Sequence, residues 1–316
     1  MDAASWKGTV DVDVGEPLFI VGAPRSGTSL LYKLLCLHPE AAWISNWNRR
    51  APGITPLAAV NRLARRPTSR RRAVWFGSDA ANAYVYGRRR SLWERLYPMP
   101  VEGEPLYEHC GIGQGLVGPP AGGGQAEAEQ AACLRRVFAG VRRWSGGRVL
   151  ISKRIANNQR IPFLAAAFPN ARFVHLIRDG RAVAYSLSRV DWWEDGVVWW
   201  YGDTPRRWRE GGGDPWELAA THWVRELASI EEGLCTVPAG RQLELRYEAL
   251  VDAPAATVMG VARFAGLDDH PGWRSELDRL SYPNKNEAWR DRLAPEVRQR
   301  VEAIQHADLV RLGHAT

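Results

Sequence analysis

Residues 18–30 read LFIVGAPRSGTSL: four apolar residues, a loop containing Gly22, Pro24, Arg25 and Gly27, then small hydroxyl residues ahead of LLYKLLC. The apolar run has the length and composition of a buried strand, and the segment after the loop has the apolar content of a helix. A strand, a glycine-bearing loop and a helix start together make an anion cradle, because the first amides of the helix have no partner within it. Gly22 and Gly27 keep the spacing of the G-x-x-x-x-G-K-[ST] phosphate loop, but the lysine position holds Thr28 and the cation, Arg25, sits inside the loop. Such a loop suits an anion gripped by a guanidinium better than a magnesium-bound triphosphate.

Outward from this loop, extended runs recur at PLFIV (17–21), RVLIS (148–152), ARFVHLI (171–177) and RQLELR (241–246), and helix-like segments follow each. Strand–helix alternation predicts an α/β fold: a P-loop-like, mostly parallel sheet flanked by helices, with ligands at the carboxyl ends of its strands. The alternation lapses between residues 45 and 146, which are rich in Pro, Gly and Arg and include GPPAGGG (118–124). We expect one domain with a core over about 15–44 and 147–290, an inserted helical and loop cap over 45–146, and a C-terminal helix over about 294–312. A second irregular piece, 191–216, carries paired tryptophans, Trp192–Trp193 and Trp199–Trp200. Some of these are expected to pack the cap and some to face an acceptor pocket.

The 316 residues carry a net charge of +7, almost all of it from arginine, since lysine occurs only at 7, 33, 153 and 285. This favours anionic ligands. The run NRLARRPTSRRR (61–72) and Arg88–Arg90 raise a nucleic-acid reading, but no nucleic-acid motif accompanies them and a solvated face is expected. No apolar stretch reaches the length of a bilayer span, and the first residues lack the pattern of a secretion signal, so the expectation is a soluble cytoplasmic protein. Cys36, Cys110, Cys133 and Cys235 stand singly, without metal-ligand spacing. Reduced core thiols and no metal site are expected.

A second anion motif lies in HLIRDGRAVAYSLSR (175–189), where Arg178 ends a strand and Ser186 follows eight residues on, inside a helix. Two anion sites on neighbouring strands point to a nucleotide phosphorylated at both ends. Here the sequence resembles sulfotransferases that use 3′-phosphoadenosine 5′-phosphosulfate (PAPS), most closely the bacterial, actinobacterial-type members. GAPRSGTSLL (22–31) resembles their phosphosulfate loop and RDGRAVAYS (178–186) their 3′-phosphate motif. The likeness extends through 151–181, LELRYEALVDAP (243–254), FAGL (264–267) and NKNEAWR (284–290).

The resemblance implies that Arg25, Ser26, Gly27, Thr28 and Ser29 bind the phosphosulfate and that Arg178 and Ser186 bind the 3′-phosphate. It also implies that Tyr247 lies near adenine and that Lys285 and Trp289 belong to a late loop closing over the nucleotide. The late loop departs from the RKGxxGxW-like form of eukaryotic cytosolic members. For the chemistry, Arg25 and Lys153 are the cations suited to the charge developing on the leaving phosphate. Many family members carry a histidine base two residues after such a lysine, but here that position is Ile155, which accepts no proton. The expectation moves to Glu102, in YPMPVEGEPLYEHC (97–110), with Glu104, Glu108 and His109 as alternatives. The implied reaction transfers a sulfuryl group to a hydroxyl or amine of a small or medium-sized acceptor. Carbohydrate, lipid and natural-product scaffolds all fit that description. Competing readings are a P-loop-type small-molecule kinase and an arginine-rich nucleotide- or nucleic-acid-binding protein.

Overall fold

The computed structural model describes residues 14–77, 91–113, 124–280, 284 and 286–314. Five strands, β1 (Leu18–Val21), β2 (Ala41–Trp43), β3 (Val149–Lys153), β4 (Arg172–Ile177) and β5 (Gln242–Arg246), form one sheet in the order β2-β3-β1-β4-β5. Every pairing is parallel. β1 is central, which explains why LFIV is apolar at all four positions instead of alternating: both faces of a parallel sheet are covered. The side chains still alternate by face. Leu18 and Ile20 join a core with Leu31, Leu34 and Leu35 of the helix Thr28–Cys36 and with Val258 and Val261 of the helix Pro254–Phe264. Phe19 and Val21 join the opposite core, where Phe19 meets Phe138, Phe168 and Phe173 at ring-centroid distances of 6.2, 5.7 and 5.3 Å.

The four strands expected from sequence are present, within a residue or two of their predicted limits. β2 was not expected: three residues following Pro39 and Glu40 carry no alternation that could reveal a strand, and it forms through pairing with Val149–Ile151. The stretch 45–146 holds short helices, but its last helix, Gln125–Ser145, places Leu134, Phe138 and Val141 in the core under the sheet. GPPAGGG apart from Gly124, and Arg88–Arg90, lie outside the described residues. Pro295–Arg311 forms the C-terminal helix. Among the described residues no helix is long and apolar enough to cross a membrane.

Two expectations are corrected. Cys110, at the end of the helix Glu104–His109, is disulfide-bonded to Cys133 in the helix Gln125–Ser145, and Cys235 is exposed; only Cys36 is a buried thiol. The pairing has no local signature, because it is made by packing that brings together cysteines 23 residues apart. Reduction, or Cys133→Ser, is expected to lower unfolding stability by about 3 kcal/mol through the freed loop entropy, read as a shifted denaturant midpoint. The arginine run is not uniformly solvated either. Arg71 is buried, ion-paired with Glu276, donates to the carbonyls of Ala64 and Arg65 at 2.7 and 3.1 Å, and so anchors the segment to the helix Pro271–Leu277.

Candidate active site

Because β1 lies between β3 and β4, the loops that follow all three strands meet at one edge of the sheet. The loop after β1 is tightly built. Gly22 approaches the carbonyl of Leu176 so closely that an added Cβ would lie 2.5 Å from its oxygen. Gly27 has φ +90° and faces the Tyr247 ring, which a Cβ would meet at 2.6 Å. Between them Arg25 is the one residue other than glycine with positive φ among those described (71°), a strained conformation of the kind concentrated at functional sites. The helix Thr28–Cys36 then starts without a side-chain cap, directly after this loop. Ser26, Thr28 and Ser29 are buried, and Ser26 Oγ has no hydrogen-bond partner among the described residues.

The two anion motifs are in direct contact. Arg25 Nε donates to Ser186 Oγ at 2.9 Å, and Arg178 Nη1 donates to the Arg25 carbonyl at 2.8 Å. The Arg178 guanidinium lies 4.3 Å over the Tyr247 ring, and its Nε donates to Asn286 Oδ1 at 3.0 Å. Asn286 in turn donates to Glu248 Oε1 at 2.7 Å. Burial lowers the Arg178 pKa, opposed by Tyr247 and Glu248, yet it stays a cation at any working pH. Asp179 is bound within its own helix. It caps the helix Gly180–Leu187 through the Arg181 amide at 2.9 Å and pairs with the Arg181 guanidinium at 2.7 Å.

Lys153, the last residue of β3 and in register with Ile20 of β1, is 4% exposed, and its Nζ is ion-paired with Glu102. The carboxylate is placed by backbone. Ser45 and Pro100 form a bridge, the Val101 amide donates to the Ile44 carbonyl at 3.0 Å, and Gly103 packs on Ile44 where a Cβ would meet Cδ1 at 2.5 Å. The neighbouring acids separate cleanly. Glu104 accepts from Nε and Nη2 of the buried Arg154, a structural pair, while Glu108 and His109 are exposed. Tyr107 is fixed beneath by Ser152 Oγ at 2.8 Å and Asn157 Nδ2 at 3.0 Å.

The sequence-derived residues Arg25, Ser26, Gly27, Thr28, Ser29, Arg178, Ser186 and Tyr247 thus come together at the carboxyl edge, with Lys153 and Glu102 paired at the end of β3. Trp289 is buried against Ala182 and lies 4.5 Å under the Arg181 guanidinium, on the far part of the second motif; Lys285 is outside the described residues. Sequence reasoning overlooked Asn286, whose only signal was its place beside Lys285, and Asn158 in the unremarkable run IANNQR. Asn158 clamps Gly22: its Oδ1 accepts from the Gly22 amide at 3.2 Å and its Nδ2 donates to the Gly22 carbonyl at 3.0 Å. The tryptophan segment packs on the helix Pro215–Leu234. Trp193 is buried and its ring lies 4.9 Å from His222, Trp199 donates to Glu226 at 2.7 Å, Trp200 to His222 at 3.1 Å, and Trp192 is 38% exposed.

A buried hydroxyl without a partner among the described residues, two guanidiniums and a loop with glycine at each end form a donor-rich lining suited to phosphate and sulfate oxygens. Sulfotransferase STF9 from Mycobacterium avium superposes with a TM-score of 0.59 at 14% identity, covering 95% of this chain and 78% of that one. Sulfotransferase STF1 from Mycobacterium tuberculosis H37Rv gives 0.56 at 18% identity, covering 93% and 78%. These show a shared fold. No curated protein sequence matches the chain. The family model described as "Sulfotransferase family" matches residues 17–271, and the chain therefore belongs to the sulfotransferase family.

Proposed function

We propose that this sulfotransferase takes its sulfuryl group from PAPS and passes it, by in-line displacement, to a hydroxyl or amine of a small or medium-sized acceptor. The observation that carries the reading is the contact between the two anion motifs through Arg25 and Ser186, with Arg178 bound to the same loop. A donor phosphorylated at both ends needs two donor-rich surfaces held at a fixed separation. In this reading Arg25, Ser26, Gly27, Thr28 and Ser29 hold the 5′-phosphosulfate, and Arg178 and Ser186 hold the 3′-phosphate. Tyr247 walls the space between them, and Lys285 and Trp289 belong to the late segment on the nucleotide side. PAPS supplies an activated sulfuryl group. Arg25 and Lys153 neutralise charge on its leaving phosphate, and Glu102 takes the acceptor proton. The acceptor enters from the side of Glu102; carbohydrate, lipid and natural-product hydroxyls all meet the chemical requirement.

Binding of adenosine 3′,5′-bisphosphate tests the donor assignment. Its affinity is expected to exceed that of adenosine 5′-phosphate clearly, and Arg178→Ala should erase most of the difference, at about 1.5–3 kcal/mol for a hydrogen bond to a charged group. Calorimetry giving equal wild-type affinities would overturn it. Turnover with PAPS should survive excess EDTA and ATP should be inert, because Thr28 stands where a triphosphate clamp has its lysine and the loop's cation is Arg25 instead. Loss of turnover in EDTA with recovery on adding magnesium would promote a kinase instead.

A further inference from the structure

The phosphosulfate loop is held from behind by a dry polar cluster that the proposed chemistry does not use. Glu226, on the helix Pro215–Leu234, is 1% exposed. Its Oε2 accepts from Asn158 Nδ2 at 2.6 Å and Gln159 Nε2 at 3.1 Å, and its Oε1 accepts from Trp199 Nε1 at 2.7 Å. Asn158 spends its other Nδ2 hydrogen on the Gly22 carbonyl and its Oδ1 on the Gly22 amide. We infer that Glu226 is the positioning residue of the phosphosulfate loop: by accepting from Asn158 it fixes which way that amide faces, and the amide fixes both peptide groups of Gly22. This rests on the donor assignment above.

Donor and acceptor matching sets the orientation of Asn158. A flipped Asn158 would set its carbonyl against the carboxylate and its NH2 against the Gly22 N–H, opposing like groups at both ends. The acceptor at Glu226 adds its own mismatch to the one at Gly22, and only a carboxylate accepts on both oxygens. A glutamine there would set an NH2 against either Trp199 or the Asn158–Gln159 pair. Burial pushes the Glu226 pKa up from 4.5 to about 7, the three N–H donors opposing it. A carboxyl raised on folding adds stability below its unfolded value, and that contribution is lost as pH rises through 7. The ionised form is therefore a cost to the fold above neutrality, which a purely structural position would avoid. The titratable neighbour is His222, whose Nε2 lies 3.6 Å from Oε1; burial lowers it to about 3, and its Nδ1 accepts from Trp200, so it is neutral with the Nε2–H facing Glu226.

The test is calorimetric binding of adenosine 3′,5′-bisphosphate at pH 8 to wild type, Glu226→Gln, Asn158→Ala and the double variant, with melting temperatures alongside. We expect about a tenfold loss for Glu226→Gln in a native fold, and no further loss when it is added to Asn158→Ala, because both act on Gly22 through one path. Between pH 8 and 6 wild-type affinity should fall towards that of Glu226→Gln as the carboxyl takes up a proton. Wild-type affinity in Glu226→Gln, or additive losses in the double variant, overturns the assignment. Should Glu226→Gln not fold, the gap in affinity between wild type and Asn158→Ala decides: a gap that narrows from pH 8 to pH 6 upholds the inference and a constant gap overturns it. A wild type that does not prefer the bisphosphate to adenosine 5′-phosphate would instead refute the donor reading.

Discussion

Glu102→Gln is expected to leave fold and nucleotide affinity near wild type and to lower turnover by about a hundred- to ten-thousandfold, the range of a lost general base. The amide oxygen of glutamine can still accept from Lys153 Nζ, so the ion-paired loop keeps an acceptor in the same place. What is lost is basicity. Because Ile155 stands where a histidine base would be, no second acceptor of comparable strength follows Lys153 in the strand-end segment. The neighbours give an internal control. Glu108 and His109 are exposed, and their alanine variants should retain turnover. Glu104→Ala should act on stability, since it strands the buried Arg154 guanidinium without its carboxylate, a defect worth about 3–5 kcal/mol. The readouts are single-turnover rate with PAPS and unfolding midpoint. Normal turnover in Glu102→Gln would move the base outside this loop.

The sheet was legible because its information is local. A central parallel strand must be apolar at every position, and LFIV states this outright; Gly22 and Gly27 are demanded by a carbonyl and a ring that press on them. The strand–loop–helix placing of Arg25 and Arg178 was legible for the same reason, since each lies on or beside a short loop fixed by one strand and one helix. What stayed hidden was made by contacts between distant segments. β2 exists only as a partner of β3, and Cys110 meets Cys133 only because two helices pack. Asn158, Asn286 and Glu226 bind their partners across 136, 108 and 68 residues, and nothing in their own surroundings marks them. The tryptophan pairs were legible halfway. Adjacent residues must point apart, but that Trp199 and Trp200 each deliver an N–H into the Glu226–His222 cluster required the helix beneath them.

Lys153→Met is expected to reduce the rate of sulfuryl transfer by about a hundred- to a thousandfold, the range seen when one donor aimed at developing charge is removed. Methionine keeps the stem that fills this 4%-exposed position, so the loss falls on the ammonium group alone. The residue lies at the end of β3 in register with Ile20, two residues before the loop that opens at Gly22 and that we propose holds the phosphosulfate. A charge that builds only in the transition state should alter the rate more than the ground-state affinity for the donor. Two roles must still be separated, because Lys153 also holds Glu102. If it served only to orient that carboxylate, Lys153→Met would cost nothing once Glu102 had been replaced by glutamine. If it neutralises the leaving phosphate, the double variant Lys153→Met/Glu102→Gln should turn over far more slowly than Glu102→Gln alone. Equal rates for those two proteins would remove Lys153 from the chemistry and leave Arg25 as the cation that meets the departing phosphate.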